Sequence, residues 1–197
     1  MITLYHATQS RSTRIVWLLE EFGLPYTIEH VSIGRMDGSG GPDPKNPHPE
    51  KKVPAIVHNG ALITESTAIC IYLNDLAASS PVAVSVDNAK RGAFLSWVAY
   101  YGTVIEPVVT LAMAGLADHP IVKRTWRTQD EMAQRFLNAL RSGPYLLGEQ
   151  FTAADVLVAS LGHWSRQMLP ADALMDDYLA RINQRPALQR SFAKDRP

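Results

Sequence analysis

Lys52-Val53-Pro54-Ala55-Ile56-Val57-His58-Asn59-Gly60-Ala61-Leu62-Ile63-Thr64-Glu65-Ser66 is the stretch on which the reading of this chain turns. Two short apolar runs, Ala55 to Val57 and Ala61 to Ile63, flank Asn59-Gly60. That dipeptide accepts positive φ at both central positions, so the pair predicts a tight β-hairpin. Pro54 cannot donate to a ladder, which puts it at a strand start or a bend. Thr64-Glu65-Ser66 then opens a helical pattern with Ile69, Leu73 and Leu76 on one stripe. The first turn of a helix presents unbonded N–H groups and a partial positive charge, which suit a carboxylate. Ser66 adds a hydroxyl donor, and Glu65 supplies an anion for an ammonium group. The plainer alternative is that Thr64 or Ser66 caps the helix and Glu65 favours its dipole.

Towards the N-terminus, Ile2 to Tyr5 reads as a strand and His6 to Ser10 as a polar turn. Ser12 to Glu21 reads as a helix with Ile15, Leu18, Leu19 and Phe22 facing a core, stopped by Gly23 with Pro25 following. Tyr26 to Val31 is a second strand. The order β-α-β, then β-β-α, is that of a thioredoxin-like α/β domain. Between them, Gly34 to Lys51 is rich in Gly and Pro and excludes a regular helix.

Towards the C-terminus, Ala77 to Val86 has no helical stripe and reads as a linker, giving domains 1–76 and 87–197. The second domain is helical throughout: one long helix from Asp87 to about Gly115 bent at Pro107, another from Ile121 to Arg141, and shorter ones over Leu174–Asn183 and Ala187–Phe192. Gly143 to Gly148 forms a turn. Thr152-Ala153-Ala154-Asp155 is a capping box, and the nearly all-round apolar run after it predicts a helix buried at the domain centre.

The Val-Pro–hairpin–Glu-Ser run and "Leu-Leu-Gly-Glu-Gln-Phe-Thr-Ala-Ala-Asp" (Leu146–Asp155) together resemble the two signature regions of the glutathione transferases. The resemblance implies a thioredoxin-like N-terminal domain followed by an all-α helical bundle. It implies a cis bond before Pro54, with Val53 offering its backbone N–H and C=O to the cysteinyl part of glutathione. Glu65 and Ser66 would hold the γ-glutamyl end, and Lys52 falls where the family's lysine meets the glycine carboxylate. Here that motif runs Asn46-Pro47-His48-Pro49-Glu50-Lys51-Lys52-Val53-Pro54, longer than the family pattern and without its glycine, and a solvated Lys51–Lys52 pair is the alternative reading.

In the same family the turn after the first strand carries the tyrosine, serine or cysteine that faces the glutathione sulfur. This turn reads His6-Ala7-Thr8-Gln9-Ser10-Arg11-Ser12-Thr13-Arg14 and holds no cysteine. Ser10 is the first candidate, Ser12 the second and Tyr5 the third; Ser10 also has the position of an ordinary N-cap, and Arg11 or Arg14 adds positive potential. The expected reaction is attack of the glutathione thiolate on a small apolar electrophile, a detoxification chemistry with glutathione as co-substrate and no cofactor. Trp97, Tyr100, Tyr101, Ile105 and Trp164 are the aromatic and apolar candidates for its pocket, Tyr100 and Tyr101 foremost, between the first domain and the start of the helical one. The alternatives are a non-catalytic glutathione-binding module, or another glutathione-dependent reaction such as peroxide reduction, isomerisation or dehalogenation. The family also implies a homodimer.

Composition narrows the partners. Lys plus Arg and Asp plus Glu both number 19, so the formal charge is zero and nucleic acid is not the expected partner. Apolar stretches are interrupted before a membrane-spanning length, and Met1-Ile2-Thr3-Leu4 opens no secretory signal. One cysteine, Cys70, in an apolar helical pattern excludes an intrachain disulfide and points to a cytoplasmic protein. The six histidines are scattered, so no metal site is expected.

Overall fold

Asn59 and Gly60 take φ of 51° and 81°, and the hairpin closes around them with β3 (Ala55–His58) paired antiparallel to β4 (Ala61–Thr64). In this computed structural model, which describes residues 1–196, β3 also pairs antiparallel with β1 (Ile2–His6), which in turn pairs parallel with β2 (Tyr26–His30). The sheet order is β2-β1-β3-β4. Alternate residues of β1 (Ile2, Leu4 and His6) are buried, as period-two geometry requires of a strand with one covered face. His6 therefore ends the strand instead of starting a turn. Helix α1 (Thr13–Phe22) stops at Gly23, whose φ of 64° is the left-handed stop expected there. Helix α2 (Ser66–Leu76) buries Ile69, Cys70, Leu73 and Asn74, whereas Leu76 is exposed, so its stripe lies one position off the expected one.

The helical unit, residues 81–184, departs from the sequence expectation at three places. Helix α3 (Arg91–Tyr100) begins at Arg91, and a π-turn over Tyr101–Ile105 leads into α4 (Glu106–Met113). The irregularity sits just before Pro107 because a proline has no N–H for the carbonyl four residues back. That carbonyl, Thr103 O, accepts from the Trp126 indole instead, at 3.2 Å. Trp126 lies between α5 (Pro120–Thr125) and α6 (Gln129–Arg141), which the sequence had suggested were one helix. A second capping box divides them: Thr128 N donates to Glu131 Oε2 at 2.7 Å, and Glu131 N to Thr128 Oγ1 at 3.2 Å.

The third departure is the supposed linker. Val82, Ala83 and Val84 are buried, the Gln150 amide donates to the carbonyls of Pro81 and Ala83, and Arg91 donates to that of Val84. Small apolar side chains let this segment pack as part of the helical unit. Also contrary to expectation, the 23-residue run Arg91–Met113 is long and apolar enough to cross a membrane by length and composition. Half of its apolar window is buried, along a stripe that includes Phe94, Trp97, Val98, Tyr101, Ile105 and Val109. A core helix has that same composition.

Helix α7 (Ala153–Trp164) is buried at every position from Ala153 to Leu161, the central helix that its sequence predicts. The Gly143–Gly148 turn preceding it closes tightly: a Cβ on Gly143 would lie 2.6 Å from the Gly148 Cα. Helix α8 (Ala173–Asn183) completes the unit.

The last helix, α9 (Pro186–Lys194), groups with residues 1–80 and packs on α1, so the sequence boundary at 87–197 does not describe the compact units. Arg185 meets the Glu21 carboxylate with two hydrogen bonds of 2.7 Å, and Glu20 receives Arg190, Lys194 and the Tyr26 hydroxyl. Burial works to raise the Glu20 pKa, but those hydrogen bonds outweigh it and hold the carboxyl at about 2.

Candidate functional site

The Gly- and Pro-rich loop before β3 is shaped by one buried side chain. Asn46, fully buried, accepts from His48 N (3.0 Å) and donates to the carbonyl of Lys52 (2.9 Å), while its own carbonyl receives the Lys51 ammonium (2.6 Å). His48, also buried, accepts from Glu50 N at 3.1 Å. The inserted Pro-His-Pro-Glu thus forms a compact turn that delivers Lys52-Val53-Pro54 to the sheet. The Val53–Pro54 peptide bond is cis. Among the described residues no hydrogen bond engages the Val53 backbone N–H or C=O.

Opposite lies the start of α2. Glu65 takes φ 67° and ψ 122°, a conformation that L side chains rarely adopt. Neither Glu65 nor Ser66 makes a side-chain cap bond, so the first N–H groups of α2 point outwards unbonded by any cap. Lys52, Val53, Pro54, Glu65 and Ser66 line one cleft of about 200 Å³. Every residue that the sequence assigned to glutathione binding is therefore in one wall-to-wall arrangement. Arg11, His48 and Glu50 complete the lining, and sequence reasoning gave none of them that place. The only signal for the latter two was the departure of the loop from the family pattern; for Arg11 it was adjacency to Ser10.

The candidate hydroxyls differ sharply. Ser12 immediately precedes α1 and is fully buried; its oxygen lies 2.7 Å from His6 Nδ1 and accepts from Ala7 N at 3.2 Å. That enclosure removes Ser12 as a hydroxyl able to face a ligand in this structure. Ser10 is half-buried, donates to the Ala7 carbonyl at 2.6 Å and lies 2.7 Å from Ser12 Oγ. It stands beside the cleft without lining it, the neighbouring Arg11 doing so instead. Tyr5 is within β1, opposite Glu29 on one side and Ala55 on the other.

Tyr100 and Tyr101 both lie in the helical unit. Tyr101 is 1% exposed and donates its hydroxyl to Glu106 Oε1 at 2.7 Å. Tyr100 is buried against Trp97, with the Arg135 guanidinium 3.9 Å from its ring centroid. Both are interior residues of the helical unit, the ordinary outcome for aromatics at helical spacing. Trp97 stacks on Phe136, and Ile105 is fully buried. Cys70 is buried as its sequence context predicts. Among the described residues no group of three or more His, Cys, Asp or Glu is arranged to hold a metal.

Comparison with known proteins bears on this geometry. Residues 10–76 match the family Glutathione S-transferase, N-terminal domain, and residues 104–186 match Glutathione S-transferase, C-terminal domain. The chain is 29% identical over 202 residues to Glutathione S-transferase 3 of Schizosaccharomyces pombe, covering 92% of this chain and 77% of that one. It is 27% identical over 217 residues to the Disulfide-bond oxidoreductase YfcG of Escherichia coli, covering 98% and 95%. Its fold superposes on a sphingomonad glutathione S-transferase complexed with glutathione with a TM-score of 0.78 at 20% identity, covering 98% of each chain. With both family domains matched in order and the thioredoxin-like and helical parts in place, the chain belongs to the glutathione S-transferase family.

Proposed function

We propose that the cleft binds glutathione and that the protein transfers its thiolate to a small apolar electrophile. One observation carries the reading: an unbonded Val53 backbone, an uncapped helix start at Glu65–Ser66, and the cations Lys52 and Arg11 all line a single cleft. Glutathione is an extended tripeptide with a carboxylate at each end and one ammonium group. The Val53 N–H and C=O offer it a strand-like pair of hydrogen bonds. The N–H groups and hydroxyl of Ser66 take the γ-glutamyl carboxylate, Glu65 takes the ammonium, and Lys52 takes the glycyl carboxylate.

Activation of the thiol falls to the β1–α1 loop. A free thiol has a pKa of about 8.5, and lowering it by two requires about 3 kcal/mol of preference for the thiolate. The Ser10 hydroxyl, the start of α1 and the Arg11 guanidinium together can supply that much. Working as a homodimer in the cytoplasm accords with the reading, and sedimentation tests the first of these.

The test is retention on immobilised glutathione, followed by turnover of an activated aryl halide. Ser66→Ala and Glu65→Ala should each weaken glutathione binding by about tenfold or more without changing the melting temperature. Wild-type affinity in both variants would sink the assignment of the cleft. A second reading is reduction of disulfides with glutathione as the thiol, favoured by the match to the YfcG oxidoreductase along 98% of this chain. Cys70 is enclosed, so such a reaction would run without a protein thiol. Disulfide turnover exceeding aryl-halide turnover would select it.

A further inference from the structure

Ser10 follows a kink. Gln9 has φ 52°, in the left-handed region, yet it is a glutamine with an exposed side chain, so packing does not hold it there. Hydrogen bonds do, from two sides. The Gln9 N–H donates to both oxygens of Asp195, at 3.1 and 3.3 Å. On the other side Arg35, in the loop after β2, donates to the carbonyls of Thr8 at 2.8 Å and Gln9 at 3.4 Å.

Asp195 does more than grip the kink. It accepts from Thr13 Oγ1 at 3.0 Å, and Thr13 Oγ1 in turn accepts from Ser10 N at 3.4 Å. It also lies 3.1 Å from His6 Nε2, whose other nitrogen is 2.7 Å from Ser12 Oγ, itself 2.7 Å from Ser10 Oγ. Two short chains of polar groups therefore lead from Asp195 to Ser10, one through Thr13 and one through the buried His6–Ser12 pair. A carboxylate beside Nε2 favours the proton on that nitrogen, so Nδ1 accepts from Ser12 and the Ser12 hydroxyl is committed inwards. Ser10, half-buried at the outer end, donates to the Ala7 carbonyl at 2.6 Å, and its hydroxyl turns from that carbonyl to meet a ligand.

We propose that Asp195 is a positioning residue for the β1–α1 loop: with Arg35 it holds the Gln9 kink, and through Thr13 and His6–Ser12 it fixes where the Ser10 hydroxyl and the Arg11 guanidinium face. The inference rests on the glutathione reading of the cleft. It assigns the C-terminal segment a part in thiol activation that neither its place after α9 nor its distance in sequence suggests.

The experiment titrates the ultraviolet absorbance of the thiolate of bound glutathione in the full chain, together with kcat and KM for an activated aryl halide. Asp195→Ala should raise the apparent pKa of the bound thiol by about one pH unit. It should lower kcat at neutral pH about tenfold while changing KM for glutathione less than about threefold. Asp195→Asn, which keeps an acceptor for Gln9 and Thr13, should recover part of both losses. Glu20→Gln is the control: it loosens the α9 ion pairs without touching the loop and should leave the thiol titration at the wild-type position. An unshifted titration in Asp195→Ala, or an equal shift in Glu20→Gln, overturns the proposal while the glutathione site stands. A wild-type chain that binds no glutathione removes the site itself, and this inference with it.

Discussion

Two helix starts in this chain look alike in sequence and behave as opposites. Thr152-Ala-Ala-Asp155 opens α7, and Thr64-Glu65-Ser66 opens α2. At α7 the Asp155 carboxylate, fully buried, receives Thr152 N (2.8 Å), Thr152 Oγ1 (3.1 Å), Leu146 N (2.9 Å) and the Tyr178 hydroxyl (3.1 Å). Its polar atoms are answered from inside the protein. At α2 the chain bends through a left-handed Glu65, caps nothing, and faces the cleft. The first arrangement fixes the helical unit; the second leaves donors uncapped in a strained backbone. Internal partners saturate the start of α7, whereas the start of α2 leaves uncapped the donors that the proposed glutathione site would use.

By that contrast, truncating Asp155 has the largest effect on stability. Asp155→Ala strands four donors in a site without water access, and each buried unsatisfied group costs about 1–3 kcal/mol, partly offset by relaxation. The expected loss is about 4 kcal/mol in denaturant unfolding. A loss below about 1 kcal/mol would mean that these bonds do not hold the centre of the bundle, and the contrast would fail.

The pH dependence of the same residue gives a second, smaller test. Burial raises the Asp155 pKa to about 6, against the pull of its hydrogen bonds from Leu146, Thr152 and Tyr178. The folded value lies above that of the unfolded chain, about 3.9, so the native state binds the proton more tightly. The resulting stabilisation is complete below pH of about 4 and is lost as pH rises through about 6, amounting to up to about 3 kcal/mol. Asp155→Asn should abolish that slope while lowering stability at every pH. Unfolding curves at several pH values, wild type minus variant, isolate the effect.

Element order was legible from local chemistry, and the family resemblance pointed to Lys52, Val53, Pro54, Glu65 and Ser66, though not to Arg11, His48 or Glu50. Asn59-Gly60 permits its turn, Pro54 bars a ladder bond, and Lys52 to Ser66 is one continuous segment, so its members could only meet across a short hairpin. What escaped was set by partners far along the chain. Nothing near Asp195 announces that it will meet Gln9, 186 residues away, or near Arg185 that it will meet Glu21. The split of α5 from α6 was available in Thr128-Gln-Asp-Glu131 but was masked by a helical pattern on either side. For Tyr100 and Tyr101, spacing tells that an aromatic faces inwards, not that Arg135 and Glu106 will meet it there. Ser10 and Ser12, two positions apart, are separated only by burial, which follows from His6 ending β1 on its covered face.

The smallest expected effect bears most directly on what the contrast means. Glu65 at φ 67° occupies a region that costs a non-glycine residue about 1–3 kcal/mol, whereas glycine enters it without steric penalty. Glu65→Gly removes that strain and also gives the unfolded chain more freedom, which returns about 0.5–1 kcal/mol in the opposite sense. The net expectation is a gain of about 1 kcal/mol in unfolding free energy, together with the loss of glutathione binding that removal of the carboxylate brings. Stability and affinity would then move in opposite directions at a single residue. A variant that loses both would place Glu65 with Asp155, as a residue that the fold needs for itself; calorimetric unfolding and glutathione titration on the same preparation separate the two outcomes.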